Sequence, residues 1–127
     1  MDLVVKEVNN ANYKKLLQLA AIFNIASIDI PYYKNILEFY ENDKLVGLVN
    51  YCINPSMGSK DHLFIRNLYY NDSNILNNIV VSLCNYCKSK NLIIITTLDN
   101  KEKNFTDECI IAFFNNNFTG KDVIIYK

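Results

Sequence analysis

Apolar and polar residues repeat along this chain with two different periods, and the period switches several times. Residues 3–8 form a short β-branched run of strand character. Asn9 and Asn10 then offer side-chain oxygens to cap a helix whose apolar positions Leu16, Leu17, Leu19, Ala20 and Phe23 share one face. Asp29 and Pro31 interrupt any regular pattern over residues 25–33, which read as a loop or a single turn. Two strand-like runs follow, 36–41 and 45–53, separated by Asn42, Asp43 and Lys44. Asn and Asp tolerate the left-handed backbone of a tight hairpin, so the pair is expected to be antiparallel. After a loop over residues 54–59, residues 62–70 alternate again. His62, Phe64, Arg66 and Leu68 fall on one side, and Leu63, Ile65, Asn67 and Tyr69 on the other.

The period then changes to that of a helix. Leu76, Ile79, Val80, Leu83, Cys84 and Cys87 recur at helical spacing within residues 74–90, and Lys88 and Lys90 complement the negative end of the dipole. Residues 92–98 are continuously apolar up to the threonines, as in a strand covered on both faces. A further helix is expected from Thr106 or Asp107 through Phe114, ended by Asn115, Asn116 and Asn117, with a terminal strand over residues 123–126 after the turn at Gly120. The pattern predicts an α/β (α+β) fold: a mixed, mostly antiparallel sheet with one central parallel βαβ crossover and helices on both faces.

At 127 residues, half of them hydrophobic and 20% charged, the chain is expected to form one domain over 1–127. Thirteen basic and thirteen acidic side chains cancel, which argues against a nucleic acid or an anionic membrane as partner. Its apolar runs are too short to span a bilayer and its start has no cationic and apolar blocks of a signal peptide, so a cytoplasmic location is expected. Free thiols are then the better reading of its four cysteines. Abundant Asn, Ile, Lys and Tyr fit an AT-rich coding sequence, which by itself assigns Asn no role.

Few residues have chemistry to offer. His62, the single histidine, stands beside Asp61, a pairing able to act as a base or simply to end a strand. Arg66, the single arginine, must be paired or reach solvent; Glu38 on the hairpin is a candidate partner, and a substrate anion is the alternative. Cys84 and Cys87 have redox spacing but lie late in their helix, where no dipole lowers a thiol pKa, so buried packing residues are expected. One His and scattered Cys make no metal site. Tyr32 and Tyr33 can line an acceptor pocket or pack.

The strand-to-helix junction at Asn67, Leu68, Tyr69, Tyr70, Asn71, Asp72, Ser73 and Asn74 is the most informative segment. A helix start gathers backbone N–H groups that favour anions, yet no glycine is present to let a phosphate approach closely. Asp72, Ser73 or Asn74 can alternatively cap that helix themselves.

In its order of elements, the chain resembles the GNAT family of N-acetyltransferases over nearly its whole length. Leu45, Val46 and Gly47 look like that family's "lvG" third strand, and Asn67, Leu68 and Tyr69 like the "l-x-v" end of its fourth. Phe113, Phe114, Asn115, Asn116, Asn117 and Phe118 look like its "fY-x-x-GF" segment. The resemblance implies transfer of an acetyl group from acetyl-CoA, or another acyl group from its acyl-CoA, to an amine on a small molecule or peptide, and it admits a homodimer. Asn67, Leu68 and Tyr69 would meet pantetheine, while Asn71, Asp72, Ser73 and Asn74 would face the pyrophosphate. His62 or Glu38 would take the amine proton through water, and Arg66, Tyr32 and Tyr33 would contact the acceptor.

The chain departs from the family's pattern at several points, among them a shorter loop and Asn117 in place of the usual Gly. The Q/R-x-x-G-x-G/A loop lacks its glycines and its Gln or Arg. Asp72 places a negative charge where a diphosphate would lie. Phe114 replaces the tyrosine that would protonate the departing thiolate. The alternative function is therefore a GNAT-like domain without cofactor, acting as a protein-interaction or small-ligand module.

Overall fold

The computed structural model describes residues 3–24, 35–58, 60–97 and 123–126. Strand β1 (Val4–Asn9) leads to helix α1 (Tyr13–Phe23), followed by β2 (Asn35–Glu41), β3 (Lys44–Asn54) and β4 (Asp61–Tyr70). A 3-10 turn (Ser73–Ile75) opens helix α2 (Leu76–Ser89), which returns the chain to β5 (Leu92–Thr97); β6 (Val123–Tyr126) is the last strand. The six strands among the described residues form one sheet in chain order.

Pairings β1/β2, β2/β3 and β3/β4 are antiparallel, and β4/β5 is the expected parallel pair joined by α2. The expected mostly antiparallel sheet with one central parallel βαβ crossover is thus present, and β6 in addition runs parallel to β5. Tyr32, Tyr33, Phe114, the 106–114 helix and the 113–118 motif lie outside the described residues.

Helices cover both faces. On one, α2 sets Leu76, Ile79, Val80, Leu83, Cys84 and Cys87 against Leu37, Phe39, Val49, Tyr51, Leu63, Ile65 and Ile94. On the other, Leu16, Leu19 and Phe23 of α1 meet Ile36, Leu48 and Tyr69. Leu17 does not join that face, being half exposed one residue off the buried i, i+3, i+7 stripe.

Asparagine does much of the backbone work in a chain with three glycines. Asn10, Asn24, Asn42 and Asn91 all have positive φ, as does Asp43. Asn tolerates the left-handed region better than most residues, so it can end α1, turn the Asn42–Asp43 hairpin and start β5. The cap of α1 is Asn12, whose Oδ1 accepts from Lys15 N at 2.8 Å, in place of Asn9 or Asn10.

Two bulges break the simple alternation. Between β2 and β3 the register passes from Phe39↔Gly47 to Tyr40↔Leu45, leaving Val46 extra. Between β3 and β4 it passes from Asn50↔Asn67 to Tyr51↔Ile65, leaving Arg66 extra. An extra residue returns the following side chains to the face they would otherwise have left. Leu68 therefore joins Leu63 and Ile65 under α2, while Tyr69 packs under α1. The two-sided reading of residues 62–70 fails from Arg66 onward for this reason.

Candidate active site at the fork between β4 and β5

The Arg66 bulge sits where two parallel strands part. The β4/β5 ladder runs from Asp61↔Leu92 to Phe64↔Ile95. Beyond Phe64, β4 stays registered with β3 as far as Tyr70, while β5 stays registered with β6 as far as Thr97. A bulge increases local twist, which turns the second half of β4 away from β5. The result is a fork whose β4 wall is Ile65 to Tyr70, with backbone groups at the spacing that an extended, amide-bearing ligand can pair with.

One buried amide stands on the β4 wall and a second faces it from β3. Asn67 is 6% exposed, and its Oδ1 accepts from Nδ2 of Asn50, fully buried on β3, at 2.9 Å. Asn50 Oδ1 has no donor among the described residues. The sequence reading missed Asn50, although a lone Asn in the apolar run Val46 to Ile53 was its signal.

At the end of β4 the chain enters the 3-10 turn, and the backbone there is already engaged. Asn71 N donates to Val46 O at 3.3 Å and Ile75 N to Asp72 O at 3.1 Å. Asn74 N donates to Asp72 Oδ1 at 2.9 Å, and Leu76 N to Ser73 O. Asp72 is thus the cap. Of the two readings of this helix start, the hydrogen bonds match self-capping: four of the amides between Asn71 and Leu76 point into the protein's own acceptors. An open cavity of about 460 Å³ beside this turn is bordered, among the described residues, by Glu41 and Asp72 with Lys44 as the one cation.

Glu38 is 3% exposed on the α1 face, and Lys15 Nζ lies 2.8 Å from its Oε2 while Tyr40 Oη donates to its Oε1 at 3.1 Å. Lys15 and Tyr40, not Arg66, are therefore its partners. Burial, reinforced by the Glu38 charge, raises the Tyr40 pKa. Two strand spacings, about 10 Å, separate Glu38 from Tyr69 along the row Glu38, Leu48, Tyr69.

His62 is half buried near the start of β4, roughly 16 Å of extended chain from Asn67. Asp61 beside it accepts from Ser56 N at 3.2 Å. Arg66 is half buried at the bulge itself.

Cys84 and Cys87 are each 2% exposed on the inner face of α2. Burial pushes the Cys87 thiol up to about 12. Nearby, Tyr86 donates to Glu7 and also bonds Tyr51; burial and these acidic neighbours raise the Tyr86 pKa, tying α2 to β1 and β3. No set of three metal-ligating side chains converges, and no helix is long and apolar enough to cross a membrane, among the described residues.

No protein-family model matches the sequence, and no curated protein matches it. Solved structures do. An aminoglycoside acetyltransferase from an uncultured soil metagenome superposes with a TM-score of 0.60 over all of this chain and 97% of its own, at 14% identity. A possible acetyltransferase from Clostridium difficile does so with a TM-score of 0.56 over the same shares, at 17% identity. The chain has the GNAT fold. A transcriptional regulator from Bacillus halodurans also superposes on this GNAT-like chain, with a TM-score of 0.58, 10% identity and 93% of each chain covered. At such identities the fold is shared and the chemistry must be argued from the site.

Proposed function

We propose that this chain transfers an acyl group from an acyl-CoA thioester to an amine. The observation that supports this most directly is the parting of β4 and β5 after Phe64↔Ile95, beside the Arg66 bulge. Residues Asn67, Leu68 and Tyr69 form the wall against which a pantetheine arm lies extended, its amides paired with strand backbone.

The acceptor amine attacks the thioester carbonyl, the C–N bond forms, and the C–S bond breaks. Backbone N–H groups at the bulge stabilise the negative oxygen, and holding the two reactants together supplies most of the acceleration. The amine proton leaves through water, with His62 on the same strand and Glu38 on the α1 face as its candidate acceptors. Phe114 has no proton for the departing thiolate, which takes one from solvent. The neighbouring aminoglycoside acetyltransferase makes polyamines the first acceptors to try, and small peptides the second.

The test is calorimetry and thermal shift with acetyl-CoA, then thiol release with an amine panel. Saturable binding is expected, worth about 2.7 kcal/mol of apparent stability at 100 times the dissociation constant. No binding at millimolar acetyl-CoA would overturn the proposal. The second reading, a GNAT-like binding module without cofactor, is favoured by one observation, the self-capped helix start at Asp72.

A further inference from the structure

The fork and the helix start give opposite answers about a CoA molecule. The β4 wall suits the pantetheine arm, whereas the junction after it does not suit the diphosphate. Its amides at Asn71, Asn74, Ile75 and Leu76 already serve Val46 O, Asp72 Oδ1, Asp72 O and Ser73 O. Redirecting them to a phosphate would cost the cap and the first turn. No glycine lies between Gly58 and Gly120, so a side chain's Cβ stands at every position along the turn. The carboxylate of Asp72 is exposed there, and among the described residues it and Glu41 outnumber Lys44 around the adjoining cavity. A group carrying two negative charges gains nothing at such a place.

We propose that this chain recognises its donor by the acyl-pantetheine arm alone, leaving the nucleotide end without a protein grip at the helix start. This rests on the acyltransferase reading above and narrows its donor to a chemical class, the pantetheine thioester, whether carried by free CoA or by the prosthetic arm of a carrier protein. The reaction balances in either case. The amine nitrogen bonds to the acyl carbon, the C–S bond breaks, the amine proton leaves through water, and the departing thiolate takes a proton from solvent.

Binding of acetyl-CoA and of S-acetylpantetheine to the wild-type chain is compared by calorimetry, with adenosine 3′,5′-bisphosphate as competitor. The two donors are expected to bind within about threefold of each other, a small difference on the affinity scale. Adenosine 3′,5′-bisphosphate is expected not to displace either. Raising salt from about 0.05 to 0.5 M is expected to leave both affinities nearly unchanged, since among the described residues no charge pair at the helix start holds the ligand. A carrier protein bearing the same acyl-phosphopantetheine separates the two sources, and its saturable binding assigns the tethered one. Acetyl-CoA binding more than about tenfold tighter than S-acetylpantetheine, with displacement by the bisphosphate, would overturn this inference and leave the acyltransferase reading standing. Failure of every donor to bind would overturn both.

Discussion

Nδ2 of Asn50 donates to Oδ1 of Asn67 across β3 and β4 at 2.9 Å, with both side chains withdrawn from solvent. The pair lies immediately beside the Arg66 bulge, at Asn50↔Asn67, the last register before the shift. Asn50 Oδ1 already lacks a donor among the described residues, so removing Asn67 strands the remaining polar groups of that amide as well. Asn67→Ala is expected to lower the unfolding free energy by about 1–3 kcal/mol, the cost of leaving a buried polar group unsatisfied. Asn50→Leu combined with Asn67→Leu is expected to be far less costly than the sum of the singles, because the desolvation penalty disappears with both partners. Additive losses in urea unfolding would show that the two amides are not coupled.

The cap at Asp72 has a different signature. Asp72→Ala is expected to cost about 1 kcal/mol of stability, while Asp72→Asn keeps an accepting oxygen and is expected to be nearly neutral. Ser73→Ala is expected to stay within about 0.5 kcal/mol, since Ser73 is exposed and is not the cap. A larger loss at Ser73 than at Asp72 would reassign the cap.

Periodicity made most of these elements legible before any coordinates. The helical spacing from Leu76 to Cys87 survives unchanged in α2, and the Asn42–Asp43 hairpin follows from residues that accept positive φ. The bulges were hidden, because a one-residue insertion at Arg66 or Val46 leaves the composition of its strand untouched and reveals itself only against the partner strand. Asn9, Asn10 and Asn12 are all competent caps, and only the path of the chain selects Asn12. Lys15 was not foreseen as the partner of Glu38, because a lysine on the polar side of a helix pattern looks solvated until the helix is laid on its sheet. The fork itself is a property of three ladders together, so a single strand's pattern does not reveal it.

Gly47 packs against Ile79 with no room for a side chain unless Ile79 shifts. A Cβ built there would run into Ile79 Cδ1 and lie 3.1 Å from Ile79 Cγ1 on α2. Gly47→Ala is expected to destabilise by about 1–3 kcal/mol through overpacking of a fully buried isoleucine. Ile79→Val removes the Cδ1 that clashes, and alone costs about 0.5–1.5 kcal/mol. The double variant is therefore expected to be more stable than the sum of the two predicts, measured as a favourable coupling in a double-mutant cycle. Zero coupling would mean that Gly47 is needed for its backbone and not for its missing side chain.

Cys87 links burial to pH. Its thiol is pushed up to about 12 from an ordinary 9.0 because burial on the inner face of α2 disfavours the thiolate. Below the ordinary value the thiol is protonated in both folded and unfolded chains, so it adds no pH dependence. Above it the unfolded chain gains by ionising and the folded chain does not, so stability falls as pH rises from about 9 to about 12, by up to about 1.4 kcal/mol per pH unit. Cys87→Ala is expected to lower stability at pH 7 by loss of packing while flattening the wild-type decline above pH 9, read as the change in urea midpoint with pH. A thiol reagent at pH 8 should accordingly label Cys87 slowly in the folded chain and rapidly after denaturation. Fast native labelling together with an unchanged alkaline slope in Cys87→Ala would place the thiol in solvent and return the Cys84, Cys87 pair to redox chemistry.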